Sequence, residues 1–336
     1  MFRRKSIDEW SLKYWLTQRY VNLAYRLYYG KFVSVNRLVI PHDMPVILAP
    51  NHQNALMDAL VFVYDSGYQP VFLARADIFK GKWVIKFLTF LNIMPIFRMR
   101  DGIDNVRRND EVFEKSLSVL LNRHNPLCLF PEGNHGDKRR LRPLVKGIFR
   151  IALLAQDAFG DKPGVKIIPV GLDYGHYQKF RSSVFVNYGK LIEVAEYYQL
   201  WKENPVNALN LLRERLADEL KKLMIHISTD EYYDLYMNLR VVYNSSMRNR
   251  MGITDTSLAG RFAADKKMIE ILDRHLKKSP KDIFRLNQQM EEYLNLLKQN
   301  NFRDWVIEKA KFSPFIILAE LIPAVVLLPV FVYGFI

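Results

Sequence analysis

The stretch Val46-Ile47-Leu48-Ala49-Pro50-Asn51-His52-Gln53-Asn54-Ala55-Leu56-Met57-Asp58 passes from an apolar run through a histidine into an amphipathic segment with an early carboxylate. It reads as a strand, a loop and the start of a helix. The same alternation continues on both sides. Apolar runs at 33–39, 46–49, 71–74, 93–97, 127–130, 165–173 and 184–188 read as strands. Amphipathic stretches at 55–64, 78–91, 106–121 and 148–159 read as the helices between most of them. Strands that alternate with helices predict an α/β fold, a mostly parallel sheet flanked by helices. After residue 193 the strand signals fade. Helices with charged faces follow, as at 208–224 and 282–298, with a joint at 243–258, and no internal repeat is read. The expected organisation is an N-terminal amphipathic helix at 1–31, the α/β domain at 32–194, a helical region at 195–311 and an apolar C-terminal membrane segment at 312–336.

The length, 336 residues, suits one large domain with an appendage or two domains. With 49% hydrophobic and 25% charged residues, wholesale disorder and collagen-like repeats are excluded. Forty-nine Lys and Arg against 35 Asp and Glu leave +14, which favours nucleic acid, an anionic lipid surface or a phosphorylated substrate as partner. The single cysteine, Cys128, forms no internal disulfide and builds no Cys-rich metal site, so a reducing, cytoplasm-facing location is expected. No His pair has metal-ligand spacing, and no metal or cofactor is expected.

No secretory leader is read at the N-terminus. Trp10, Tyr14, Trp15, Tyr20, Tyr25, Tyr28 and Tyr29 crowd one segment, with Ser11, Gln18, Asn22 and Arg26 as a narrow polar stripe. It is read either as a helix packed on the core or as an interfacial helix whose Lys13, Arg19 and Arg26 meet anionic lipid. At the other end, residues 314–336 hold one charge, Glu320. The uncharged residues 321–336 alone fall short of a hydrocarbon core of about 30 Å, whereas the whole stretch would suffice, and Pro314, Pro323 and Pro329 argue against one straight helix. Lys309 and Lys311 place the preceding side in the cytoplasm if the segment inserts. The chain stops on an apolar residue, so a span or hairpin is expected to continue past Ile336.

Two elements carry chemistry. His52 on a loop leaving a strand, with Asp58 in the next helix, is a common arrangement of a base and its orienting group. Both face one site only if the helix starts after His52, and Asn54 is the candidate N-cap. The second element is Leu127-Cys128-Leu129-Phe130-Pro131-Glu132-Gly133-Asn134-His135-Gly136-Asp137-Lys138-Arg139-Arg140, a strand that runs into a carboxylate, a glycine and a basic loop. Parallel sheets bind ligands at such strand ends, and glycines let backbone approach a substrate closely.

Together these segments resemble the glycerolipid acyltransferase superfamily, the lysophosphatidate and glycerol-3-phosphate acyltransferases. Four blocks match in the family's order: residues 51–58; Ile93-Met94-Pro95-Ile96-Phe97 followed by Arg98; Phe130-Pro131-Glu132-Gly133; and Ile167-Ile168-Pro169-Val170-Gly171. The resemblance covers residues 33–194. Five residues separate His52 from Asp58 where the family usually has four, as in some members that use glycerol-3-phosphate. Asn134-His135-Gly136 stands where Thr-Arg-Ser often follows, and Asn92 replaces the glycine expected before the Pro95 strand.

The resemblance implies a membrane-associated 1-acylglycerol-3-phosphate O-acyltransferase, active on the cytoplasmic side. It would move a fatty acyl group from acyl-CoA or acyl carrier protein to a phosphorylated glycerol acceptor. Lysophosphatidate is the expected acceptor and glycerol-3-phosphate the alternative. His52 would deprotonate the hydroxyl with support from Asp58, and backbone N–H groups would stabilise the tetrahedral anion. Arg98 would hold the phosphate, assisted by Lys146 or by Lys138, Arg139 and Arg140. Glu132 would position the glycerol or orient one of those cations, and Gly133 would admit the substrate. Cys128 is read as core. His42, His124, His226 and His275 are read as surface or capping residues, with His135 and His176 nearer the motifs. A nucleic-acid binder fits the charge but shows no recognisable motif, so no nucleic acid is expected. A catalytically silent lipid-binding scaffold is the remaining rival, supported by the extra residue between His52 and Asp58.

Overall fold

The alternation of apolar side chains in the short strands supplies two buried faces, and the helices cover both. The computed structural model describes residues 7, 9–37, 40–41, 44–97, 109–122, 125–308 and 314–333. The strands are β1 (Lys31–Val35), β2 (Val46–Pro50), β3 (Val71–Arg75), β4 (Ile93–Ile96), β5 (Leu127–Cys128), β6 (Lys166–Tyr174), β7 (Ser183–Tyr188) and β8 (Ile192–Glu193). They form one sheet in the order β1-β7-β6-β2-β5-β3-β4, with β8 also on β6. Pairing is parallel except where β6 meets β7 and β8. The carboxyl ends of β2 to β6 therefore lie along one edge. Pro95 sits on the edge strand β4, where a missing N–H breaks no ladder.

Ile47, Ala49, Val71, Leu127 and Ile167 pack under α4 (Asn109–Asn122), α5 (Gly147–Gln156) and α7 (Pro205–Leu223). Leu48, Phe72, Cys128, Ile168 and Val170 pack on the opposite face, under α1 (Leu12–Tyr28) and α2 (Ala55–Asp65). Each fully buried Leu, Ile, Val or Phe in these layers contributes about 1.5–3 kcal/mol. Two short helices complete this part, α3 (Lys82–Phe90) and α6 (Tyr198–Glu203). The helix expected at 78–91 is broken into a 3₁₀ turn at Ala76–Ile78 and α3, because Gly81, at φ 85°, separates them. Asn92 adopts φ 58°, the left-handed backbone that Asn tolerates, so it does the work of the expected glycine.

One expectation is corrected. The helix at 208–224, expected within a helical region at 195–311, is α7 and packs on the sheet. Its stripe of Leu212, Leu216 and Leu220 is fully buried there. Gly171 is what lets α7 end so close, since a Cβ there would lie 2.0 Å from the Leu223 carbonyl oxygen. Part of the polar stripe of α1, Ser11, Gln18 and Asn22, turns toward the core, while Arg26 is exposed. Gln18 donates to the Val63 and Tyr68 carbonyls at 2.7 and 2.9 Å, and the Ser11 backbone exchanges hydrogen bonds with Gln69. Leu12, Leu16, Tyr20, Leu23 and Leu27 are left exposed.

Contacts divide the chain into two units, Met1–Ser228 with Met251–Lys266, and Thr229–Arg250 with Lys267–Ile336. The second unit contains α8 (Tyr233–Val242), α9 (Asn244–Arg250), the latter part of α10 (Leu258–Lys278), α11 (Pro280–Gln299), α12 (Asp304–Glu308) and α13 (Pro314–Tyr333). In α11, Ile283, Met290 and Leu297 recur at seven-residue intervals and form its buried stripe. The segment expected to enter the membrane contains α13, with Pro323 and Pro329 inside it. Several of its side chains fall outside the described residues. Among the described residues no helix is long and apolar enough to cross a membrane.

Candidate active site

The site lies where β2 and its neighbour β5 end. Asn51 continues β2 alongside β6: its side chain exchanges hydrogen bonds with both backbone groups of Leu172, at 2.6 and 3.1 Å. This fixes the residue before His52. The helix α2 then begins at Ala55 with Asn54 as N-cap, so His52 precedes the helix as expected. The Asn54 side chain makes no cap bond. Asp58 reaches back instead, and its Oδ2 accepts from the backbone N–H of Gln53 at 2.8 Å and of Asn54 at 2.7 Å.

The same oxygen lies 2.9 Å from Nδ1 of His52. Two backbone N–H groups can only donate, so Oδ2 is an acceptor and Nδ1 must carry a proton. The neutral ring then has its lone pair on Nε2, which has no hydrogen-bond partner among the described residues. Asp58 is fully buried, while the His52 side chain is 15% exposed. The other oxygen, Oδ1, accepts from the Tyr174 hydroxyl at 2.7 Å. The His52 ring stacks on Phe130, with centroids 4.1 Å apart, and meets His135 edge-on at 5.7 Å. A base held by an orienting carboxylate, exposed on one nitrogen, can take a proton from a hydroxyl.

Glu132 makes contacts that neither expected part includes. Its two oxygens accept from the backbone N–H of His52 at 2.7 Å and of Arg142 at 2.9 Å, so it braces the histidine loop against the basic loop. Burial pushes its carboxyl up to about 7, opposed by those two N–H groups and by the Arg142 charge. Gly133 holds φ 66° and gives its N–H to the Phe130 carbonyl, so it shapes a turn and has no amide to offer a substrate. Gly136 donates to the His52 carbonyl at 3.3 Å. The amides of His52, Gln53, Asn54, Gly133 and Gly136 are thus all committed, and the expected backbone stabilisation of an anion cannot come from them.

The four basic candidates after Glu132 divide. Arg139 is buried, paired with Asp173, bonded to the Tyr174 carbonyl and stacked over Tyr177. Its assignment to the substrate phosphate is corrected, because those contacts lock the basic loop to the end of β6. Arg140 directs Nε to the Ile227 carbonyl at 2.8 Å, while Ile227 N–H returns to the Arg139 carbonyl. His226 completes this strap. Burial and nearby cations hold its ring down to about 4, and its Nδ1 accepts from Leu141 N–H at 3.0 Å. Lys138 and Lys146 are exposed. Lys146 precedes α5, and Gly147 beside it packs near Ile96, the last residue of β4. Arg98, like His42 and His124, lies outside the described residues. His176 and His275 are exposed. Cys128 is fully buried and burial pushes its thiol well up, as suits a core residue.

Three contributors escaped the sequence reading. Arg75, at the carboxyl end of β3, pairs with Asp77 and reaches the Asn134 side chain at 3.3 Å. Arg142 is exposed and bonds the His135 carbonyl at 2.8 Å. Tyr174 supports Asp58. The signal for Arg75 was its place at a strand's carboxyl end; nothing local marks the other two. Among the described residues no His, Cys, Asp and Glu cluster could hold a metal ion.

A family model described as Acyltransferase matches residues 32–173, the stretch that carries the dyad and its braces. Over that stretch the chain is similar to the glycerolipid acyltransferases. It is similar to glycerol-3-phosphate O-acyltransferase 1 of Saccharomyces cerevisiae, at 27% identity over 193 residues, 56% of this chain and 24% of that protein. It is also similar to the chloroplastic 1-acyl-sn-glycerol-3-phosphate acyltransferase BAT2 of Brassica napus, at 28% identity over 132 residues, 39% of this chain and 33% of that protein. The chain therefore matches a third or less of the length of these curated relatives. The crystal structure of the 1-acyl-sn-glycerophosphate (LPA) acyltransferase PlsC from Thermotoga maritima aligns with a TM-score of 0.43 and 21% identity, over 62% of this chain and 79% of that one.

Proposed function

We propose that this acyltransferase moves a fatty acyl group from an acyl thioester, acyl-CoA or acyl carrier protein, to the free glycerol hydroxyl of lysophosphatidate. The observation that carries the reading is the His52 ring, fixed by Asp58 through Nδ1 and open at Nε2. Nε2 takes the hydroxyl proton as the oxygen attacks the thioester carbonyl. The new C–O bond forms, the tetrahedral anion collapses, the C–S bond breaks, and the departing thiolate receives the proton from Nε2. No acyl-enzyme is needed, in keeping with the buried Cys128. With the nearby amides committed, the cations Arg75, Lys138, Arg142 and Lys146, together with Arg98, are the groups for the acceptor's phosphate and the developing negative charge.

An acceptor that resides in a membrane is supported by exposed apolar faces. On α1 these are Leu12, Leu16, Tyr20, Leu23 and Leu27, and on α3 they are Trp83, Ile85 and Phe87. Tyr14 and Phe90, 6.4 Å apart, join the two helices. Lys86 lies over Trp83 and Arg19 over Trp15, cations suited to an anionic surface. In the second unit, the exposed Leu321, Ile322, Val325 and Leu328 of α13 suit a membrane-embedded helix, with Lys309 and Lys311 on the cytoplasmic side. Glycerol-3-phosphate is the second reading, favoured by the yeast relative named for that acceptor. The test is acyl transfer by detergent-solubilised protein given an acyl thioester with either acceptor, alongside His52→Ala. Product with one acceptor, lost in the variant, supports the enzyme and names its substrate. No transfer to either by folded protein refutes it and leaves the silent lipid-binding scaffold.

A further inference from the structure

Along the edge that carries His52, past the end of β6, a groove of about 980 Å³ runs between the last turns of α1, the start of β1, Arg181 before β7 and residues 256–261. All of this belongs to the first unit. Its lining has two chemistries. Leu23, Leu27, Phe32 and Leu258 are apolar, while Arg26, Lys31, Arg181 and Arg261 are cationic; none of its lining residues is Asp or Glu. Arg181 is set rigidly, at φ 60° with its N–H donating to the Tyr28 carbonyl at 2.7 Å. Like charges such as those of Arg26, Lys31 and Arg181 around one concavity repel, and an anion between them removes that cost. The space is far larger than an inorganic phosphate needs, and its apolar side suits a hydrocarbon chain.

The floor of the groove includes Tyr25 and Tyr29, both buried. The Tyr29 hydroxyl accepts from the Asn54 side chain at 3.4 Å, and its ring lies 5.9 Å from that of Tyr174. Asn54 and Tyr174 both donate to Asp58. The groove thus adjoins the dyad's support from the β1 and β7 side of the sheet, whereas Glu132 follows β5 on the other side of β2.

We infer that this groove binds an anionic glycerophospholipid, its phosphate among Arg26, Lys31 and Arg181 and the start of an acyl chain along Leu23 and Leu27. The inference rests on the membrane-facing role given to α1 above, because Leu23 and Leu27 belong to that exposed face. Such a site would hold a resident lipid apart from the reacting acceptor.

The experiment is calorimetric titration of the full chain in neutral detergent with dihexanoyl-phosphatidylglycerol, dihexanoyl-phosphatidylcholine and inorganic phosphate. The expected result is saturable binding of the first at one site and much weaker binding of the other two. Combined Arg26→Gln, Lys31→Gln and Arg181→Gln should weaken it about tenfold, the sum of three exposed charge contacts. The paired replacements Arg26→Lys and Lys31→Arg should retain binding, and so should Lys277→Gln, Lys278→Gln and Lys281→Gln, which remove as much charge from exposed positions in the second unit. Equal weakening by both charge-removing sets, equally tight phosphate binding, or no preference for the anionic lipid overturns the inference. Transfer measured on the same preparation separates the two readings. Transfer without lipid binding overturns the groove alone, and lipid binding without transfer overturns the enzymatic reading alone.

Discussion

Replacing Asp58 by Asn tests the dyad with little change of shape. The amide oxygen must take the Oδ2 position, because the amide nitrogen there would face three donors from His52, Gln53 and Asn54. The nitrogen then faces the Tyr174 hydroxyl, which can rotate and accept. Nδ1 still has an acceptor, so the tautomer survives, and what disappears is the negative charge 2.9 Å from the ring when His52 becomes an imidazolium. At that separation and an effective dielectric of about 20, the attraction is about 6 kcal/mol. A neutral hydrogen bond recovers about 1 kcal/mol, and solvent at the partly exposed ring screens some of the rest. The net loss is about 4–5 kcal/mol at the transition state, a fall in kcat of about a thousandfold or somewhat more. The assay is the initial rate of thiol release from the acyl thioester at saturating acceptor. Thermal unfolding within a few degrees of the wild type serves as the check on folding. A folded Asp58→Asn variant that keeps more than a tenth of its kcat would refute the reasoning, since the carboxylate would then hold a ring whose charge never develops.

For Glu132, an acid whose folded value is raised to about 7 from 4.5, the native chain keeps a proton that the unfolded chain has lost. Stability should therefore decline as pH rises from about 4.5 to about 7 and level off above, by up to about 3 kcal/mol. Glu132→Gln abolishes that component, so denaturant midpoints at pH 5 and pH 8 should differ less in the variant; an unchanged pH dependence contradicts the assignment. Cys128→Ala should lower stability by about 1–2 kcal/mol while leaving kcat within about twofold, and a Cys128-linked acyl adduct seen by mass spectrometry would count against direct transfer. Arg75→Gln should raise the KM for the phosphorylated acceptor about tenfold or more, with the KM for the acyl thioester unchanged. A reversed pattern would move Arg75 to the donor.

The fold was legible because its signals are local. Alternating apolar runs marked the strands near β2, β3, β4 and β6, and the order His52, Asn54, Asp58 located the helix start. Strand order was not legible, because β5 enters between β2 and β3 through pairings distant in sequence. The bracing role of Glu132 follows from that insertion, and bonds to backbone N–H groups leave no mark on residue type. Arg139 looked like part of a solvated charge run because its partner, Asp173, lies 34 positions away at the end of β6. In α1 the mostly apolar surface hid which face packs. The carbonyls of Val63 and Tyr68 need donors, and Gln18 supplies them.

These placements give the site a direction. Along the sheet edge, β6 lies on one side of β2, with β5, β3 and β4 on the other. The β6 side is filled by Tyr174, Tyr177 and the Arg139–Asp173 pair, all engaged with one another or with the dyad. The candidate cations that sheet order places, Arg75 ending β3 and Lys146 near the end of β4, fall on the opposite side. A phosphorylated acceptor would then lie with its phosphate toward β3 and β4 and its hydroxyl toward Nε2 of His52. A motif residue such as Glu132 can be essential under this arrangement without touching substrate, because a shift of the His52 loop misdirects Nε2 as surely as the loss of the ring.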